Sequence, residues 1–138
     1  MGDESDPIDG EEVLYRRIPA SQGWYDEATK ELNSAAFHPN RNDETGISIV
    51  RGKYKTVKQA AMGRTGKKYY VAVLKASDLA QQGITVASRP ELPDGKIDKA
   101  HAELPELNKD NRRSDEVASL EEILAQKLTR EVLGPYYS

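Results

Sequence analysis

Residues 69–74 read Tyr69-Tyr70-Val71-Ala72-Val73-Leu74, with Lys67 and Lys68 before them and Lys75 after. Aromatic and β-branched side chains follow one another without a polar break, which is the composition of a strand. A half-buried strand alternates apolar and polar positions. A run that does not alternate predicts a strand covered on both faces, and it is read here as the central strand of the fold.

Upstream of it, Thr56 opens a short helix. Its hydroxyl can accept an amide hydrogen bond and Gln59 can return one, the pattern of a capping box. Val57, Ala60 and Ala61 face inward, and Gly63 is the expected C-terminal cap. Ile47-Ser48-Ile49-Val50-Arg51 is a strand. Residues 13–18 form the first strand, ended by Pro19. Alternation there places Arg16 with Leu14 and Ile18, and Arg17 with Val13 and Tyr15, so one arginine points toward an apolar face. Between these strands, 26–32 predicts one or two helical turns, Ser34-Ala35-Ala36-Phe37 a short irregular edge strand, and 38–46 a polar loop.

Downstream, Ser77 caps a helix over 78–82, stopped by Gly83. Residues 84–87 form a strand, Pro90, Pro93 and Asp94-Gly95 mark a loop, and 100–104 form the last strand. A final helix starts at Ser114 or Ser119. Val117, Leu120, Ile123, Leu124 and Leu128 recur on one helical face, and Gly134-Pro135 ends it. The expected class is α+β: a mixed sheet of about four or five strands, two short helices and a C-terminal amphipathic helix. Three regions follow: a disordered acidic tail over 1–12, an α+β domain over 13–107, and a helix over 114–133 packed on the domain or on a partner.

The chain has 138 residues, which fits one domain. It has no cysteine and two histidines, so thiol chemistry, disulfides and Cys- or His-rich metal sites are excluded, and no metal or other cofactor is called for. No apolar run approaches a membrane span, and the acidic start is not a secretory signal; the expected location is cytoplasmic, with no membrane partner. The net charge of −3 hides an asymmetry. Residues 1–12 hold six acids and no base, whereas 45–77 hold no acid and eight bases. A basic run beside Tyr54, Tyr69 and Tyr70 is either a solvated face or a nucleic-acid surface. The candidate nucleic-acid-binding residues are Arg51, Lys53, Lys55, Lys58, Arg64, Lys67 and Lys68.

Catalytic motifs are sparse. The run Gly63-Arg64-Thr65-Gly66-Lys67-Lys68 precedes a strand rather than a helix, which reverses the phosphate-loop context; a basic turn explains it. His101 and Glu103 share a strand face, as partners in a hydrogen-bond network or in acid–base work. His38 lies in a loop, as surface histidines do.

An arginine on the first strand (Arg16 or Arg17), Ser48 on the second and Glu103 on a late strand occur in an order that resembles the Arg–Ser–Glu order of ADP-ribosyltransferases. The resemblance implies an NAD-using enzyme in which the arginine binds the pyrophosphate, Ser48 holds the nicotinamide side, and Glu103 stabilises the ribose oxocarbenium ion. The chain departs from that family in lacking its Ser-Thr-Ser run and the acidic or amide residue two positions before the glutamate.

The order LYRRIP (14–19), SAAF (34–37), GISIV (46–50) and HAEL (101–104) resembles a group of small bacterial proteins of unknown function. It implies a bacterial cytoplasmic domain and carries over no catalytic residue. The leading expectation is a non-catalytic interaction module whose partner is another protein. The alternatives are the ADP-ribosyltransferase-like enzyme and nucleic-acid binding through 51–68.

Overall fold

In β1 (Val13–Pro19), Leu14 and Ile18 are fully buried while Val13 and Arg17 are exposed. The strand runs antiparallel along its whole length to β5 (Lys68–Lys75), from Val13 opposite Lys75 to Pro19 opposite Tyr69. Tyr70, Ala72 and Leu74 of β5 enter the main core, whereas Tyr69 and Val71 pack with Ala61 in a smaller cluster on the other face. Cover on both faces is why 69–74 shows no alternation. The computed structural model describes residues 7–91 and 97–138.

The order of elements between β1 and β5 is a 3-10 turn (Ala20–Gln22), a hairpin of β2 (Tyr25–Asp26) and β3 (Glu31–Leu32), a second 3-10 turn (Ser34–Phe37), β4 (Ile47–Arg51) and α1 (Val57–Ala60). After β5 come α2 (Ala76–Gln81), β6 (Ala87–Ser88), β7 (His101–Leu104), α3 (Asp115–Ile123), one wide π turn (Leu124–Leu128) and β8 (Glu131–Tyr137). Among the described residues the main sheet has the order β6-β7-β4-β1-β5-β8, and every pairing in it is antiparallel. The α+β class holds, with six strands in an antiparallel sheet in place of four or five in a mixed one.

Several local expectations change. The stretch 26–32 is the β2–β3 hairpin rather than a helix: Asp26 Oδ1 accepts from the Ala28 amide, and Lys30 takes a φ of 63° to reverse the chain. The SAAF segment is a 3-10 turn rather than an edge strand, because Asn33 caps it by accepting from the Ala35 amide at 2.8 Å. It drives Phe37 into the core with no exposure, worth roughly 1.5–3 kcal/mol. The Thr56–Gln59 capping box forms as read, but the helix ends at Ala61, not Gly63. The strand expected over 84–87 shrinks to Ala87–Ser88. The loop expected around Pro93 and Asp94-Gly95 lies outside the described residues.

The C-terminal segment differs most. Ser114 caps α3 as expected, and Val117, Leu124 and Leu128 enter the main core. The helix packs on the Ser34–Phe37 turn, so it docks on its own domain. Gly134-Pro135 does not end a helix. It sits inside β8, where the register to β5 shifts between Tyr69 and Val71. Proline has no amide to give a ladder, so an edge-strand bulge accommodates it.

The acidic start also divides. Residues 1–6 lie outside the described residues. Residues 7–12, expected in a disordered tail, are tied down. Ala76 N donates to Glu12 O at 3.0 Å, Ser77 N donates to Gly10 O at 2.9 Å, and the Glu12 carboxylate reaches Arg51. Among the described residues no helix is long and apolar enough to cross a membrane.

Candidate anion-binding cleft

The largest cavity described, about 1070 Å³, opens where β1 ends. Arg16 and Arg17 enter it from β1, Arg64 and Lys67 from the turn between α1 and β5, and Lys68 from the first position of β5. Trp24, His38 and Asn40 line it from the segments after β1 and after the Ser34–Phe37 turn. No aspartate or glutamate is among its lining residues.

The basic turn is built by packing. Gly63 lies against Tyr69 so closely that an added Cβ would stand 2.5 Å from the ring. The Tyr69 hydroxyl accepts from the Arg64 amide at 2.8 Å. Ser138 closes the other side: its Oγ accepts from Gly63 N at 2.9 Å, and its carbonyl accepts from Gly66 N at 2.9 Å. Gly66 has a φ of 83°, which favours glycine. With the backbone so held, the Arg64, Lys67 and Lys68 side chains project to the outside. None of the three pairs with a carboxylate among the described residues. Lys68 Nζ lies 5.4 Å from the centre of the Tyr137 ring.

The two arginines of β1 leave on opposite faces. The ladder between β1 and β4 holds only two pairs, Leu14 with Arg51 and Tyr15 with Val50. Just past it, Arg16 Nε donates to Ala36 O at 3.0 Å and Nη1 to Ser48 O at 2.8 Å. Its guanidinium thus ties the 3-10 turn to β4. Burial lowers its pKa to about 10, opposed by Asp43 and assisted by Arg17, so it remains a cation at neutral pH. Arg17 turns toward β5. It donates to Met62 O and lies over the Tyr69 ring, 5.3 Å from its centre.

The seven basic residues singled out in the sequence therefore separate. Arg51 is fully buried against Glu12 and cannot meet a ligand. Lys55 pairs with Asp98 at 3.2 Å, and Lys53 lies over Tyr54. Lys58 is exposed on α1. Arg64, Lys67 and Lys68 line the cleft, where they join Arg16 and Arg17, which the sequence had suggested for catalysis instead.

Ser48 and Glu103 are brought together, directly opposite each other on β4 and β7. Glu103 accepts from Thr45 Oγ1 at 2.5 Å and lies 3.5 Å from Arg89 Nε. His101 Nδ1 donates to Arg89 O at 2.7 Å, which leaves Nε2 to accept from the Ser48 hydroxyl at 3.2 Å. This is the shared network anticipated for His101 and Glu103. Neither arginine of β1 reaches the Ser48 or Glu103 side chain among the described residues: Arg16 touches only the Ser48 carbonyl, and Arg17 is drawn to Met62. An NAD pyrophosphate needs a guanidinium with its donors free, and Arg16 has two of its three nitrogens bound to backbone. The arrangement does not fit that cofactor.

His38 is half exposed, with its Nδ1 2.6 Å from the buried Glu121 of α3. A second cavity, about 670 Å³, is lined by Lys30, Arg130, Glu31 and Glu131, so its charges balance and it favours neither sign of ligand. The role of Trp24 and the grouping of Arg17 with Arg64 were absent from the sequence reading. Each depends on chain segments that meet only after folding. No family model matches the chain, and no curated protein or solved structure is similar to it.

Proposed function

We propose that the chain is a small non-catalytic interaction module that binds nucleic acid in the cleft at the end of β1. The observation that carries this is the gathering of Arg16, Arg17, Arg64, Lys67 and Lys68 around one concavity with no lining carboxylate. A concave site lined by one sign of charge concentrates the opposite charge, and clustered arginine and lysine are what phosphates select. Arg16 and Arg17, held by backbone carbonyls, supply fixed positive potential. Arg64, Lys67 and Lys68 are exposed and supply the direct contacts. A protein partner in the groove of the C-terminal helix is less well supported, since the apolar face of α3 is already spent on the chain's own core. The resemblance to small bacterial proteins extends the proposal to a bacterial, cytoplasmic setting.

The test is titration of a labelled oligonucleotide, read by fluorescence anisotropy at several salt concentrations. With three phosphate contacts, log K should fall against log salt with a slope of roughly −2 to −3. The Lys67→Glu, Lys68→Glu double variant should abolish binding while leaving the melting curve intact. Full-strength binding by that variant would refute the proposal.

A further inference from the structure

We infer that the cleft takes a single strand with unpaired bases, not a duplex; this rests on the nucleic-acid reading above. The walls of the cleft differ in chemistry. The turn preceding β5 and the first residue of that strand supply Arg64, Lys67 and Lys68, all cationic. The segments after β1 and after the 3-10 turn supply Trp24, Ser21, Gln22 and Asn40, which carry an aromatic face, a hydroxyl and two amides.

Trp24 is held from behind. It packs against the main core, and its carbonyl accepts from Asn33 N at 2.7 Å. Trp24 is partly buried, and it lines both this cavity and a neighbouring one of about 400 Å³. Such a ring is a stacking platform that costs little ordering when a base lands on it. Gln22 and Asn40 are exposed; the Asn40 Oδ1 already accepts from the Asn42 amide at 2.7 Å, so Asn40 offers chiefly its amide donors, while Gln22 offers a donor and an acceptor to a base edge.

A duplex would leave this wall idle. Its bases are stacked on one another, it offers phosphates and groove edges only, and reading those takes a helix or ribbon that projects into a groove. The site here is concave, and Trp24 is part of its wall. A single strand satisfies both sides at once, with phosphates toward Arg64 and Lys67 and bases toward Trp24.

Trp24 is the only tryptophan in the chain, so tryptophan fluorescence, excited beyond the tyrosine absorption, reports on this one residue. Affinities of the full chain for a twelve-nucleotide oligo-dT, a blunt duplex of equal length and inorganic polyphosphate are read by titration calorimetry, for parent and variants alike, with Trp24 quenching followed in parallel in the parent. The expected result is quenching by oligo-dT, with affinity about tenfold above that for the duplex and for polyphosphate. Trp24→Leu should lower oligo-dT affinity about tenfold and leave polyphosphate affinity unchanged. Because Trp24 also packs on the core, the exposed pair Gln22→Ala, Asn40→Ala serves as a second variant with the same expected direction. Equal affinity for duplex and single strand without quenching would overturn the single-strand inference while leaving nucleic-acid binding in place. Oligo-dT binding no tighter than polyphosphate would overturn the role of the bases. Binding to none of the three would overturn both readings.

Discussion

Glu12 closes both carboxylate oxygens on the guanidinium of Arg51: Nε to Oε2 and Nη2 to Oε1 are each 2.8 Å. The Arg51 side chain has no exposure and that of Glu12 has 5 %. A basic residue from the acid-free segment is thus neutralised by the acidic start of the chain. The fold gains a fixed junction between residues 7–12 and the inner strand β4, and Arg51 is withdrawn from the surface.

Breaking that pair should be costly. Glu12→Gln removes the carboxylate that both Nε and Nη2 of the buried guanidinium meet, a loss of about 3–5 kcal/mol. Urea denaturation followed by circular dichroism measures it. Replacing both partners, as Glu12→Leu with Arg51→Met, should recover much of the loss, because the desolvation cost goes with the charges. A single variant with unchanged stability would show that the junction is not formed.

Position should decide which cations matter for binding. Lys53 and Lys58 lie in the same acid-free run as Lys67 but outside the cleft. Arg64→Glu and Lys67→Glu should each reduce oligonucleotide affinity severalfold and flatten the salt dependence, whereas Lys53→Glu and Lys58→Glu should change affinity less than twofold. Anisotropy titrations at two salt concentrations compare the four. Equal losses would mean that net charge, not the cleft, controls binding.

Alkaline pH should weaken the fold through Tyr70. Its hydroxyl donates to Glu27, and that bond, with burial and the Glu27 charge, raises its pKa to about 12 from an ordinary 10. The folded protein therefore keeps this proton over a range where the unfolded chain has released it. The contribution is whole below pH 10 and is lost as pH climbs from 10 through about 12. Melting temperatures across that window should fall less steeply for Tyr70→Phe than for the parent. Identical slopes would place the hydroxyl outside any linkage to stability.

What the sequence displayed and what it hid follow one division. Val13 to Ile18, Ile47 to Arg51 and Tyr69 to Leu74 are strands because their own composition favours strands, and the Thr56–Gln59 box is a contact three residues long. Local physics decides such elements. Residues 26–32 read as helix because helix formers lie there, yet the hairpin wins through Asp26 and the reversal at Lys30. Glu131 to Tyr137 read as the end of a helix because Gly134-Pro135 stops helices, yet it also fits a bulged edge strand on β5, with partners from 58 residues away (Val73 with Glu131) to 69 (Lys68 with Tyr137). The cleft was half visible. Arg64, Lys67 and Lys68 stood in one basic turn, but Arg17 and Trp24 reach them only through the β1–β5 pairing and the packing of Tyr69. Arg51 was misassigned because a buried partner 39 residues upstream leaves no periodic trace.

The turn carrying those cations should be sensitive to one methyl group. At Gly63 a Cβ would lie 2.5 Å from Cζ of Tyr69 and 2.6 Å from its hydroxyl oxygen. Tyr69 cannot retreat freely, since its ring packs with Ala61 and Val71 and underlies Arg17. Gly63→Ala must therefore displace the turn, the ring or both, at about 1–3 kcal/mol. Because the Tyr69 hydroxyl also holds the Arg64 amide, the shift should lower oligonucleotide affinity along with stability. Tyr69→Phe separates the two effects: the ring and its packing stay, only the bond to Arg64 N is lost, and that part-buried amide lies in an exposed residue where water can replace the bond. The expectation is near-parental melting for Tyr69→Phe with a measurable drop in affinity, read by thermal denaturation and anisotropy on the same sample. Parental affinity in both variants would show that the cations act independently of the geometry that Tyr69 imposes.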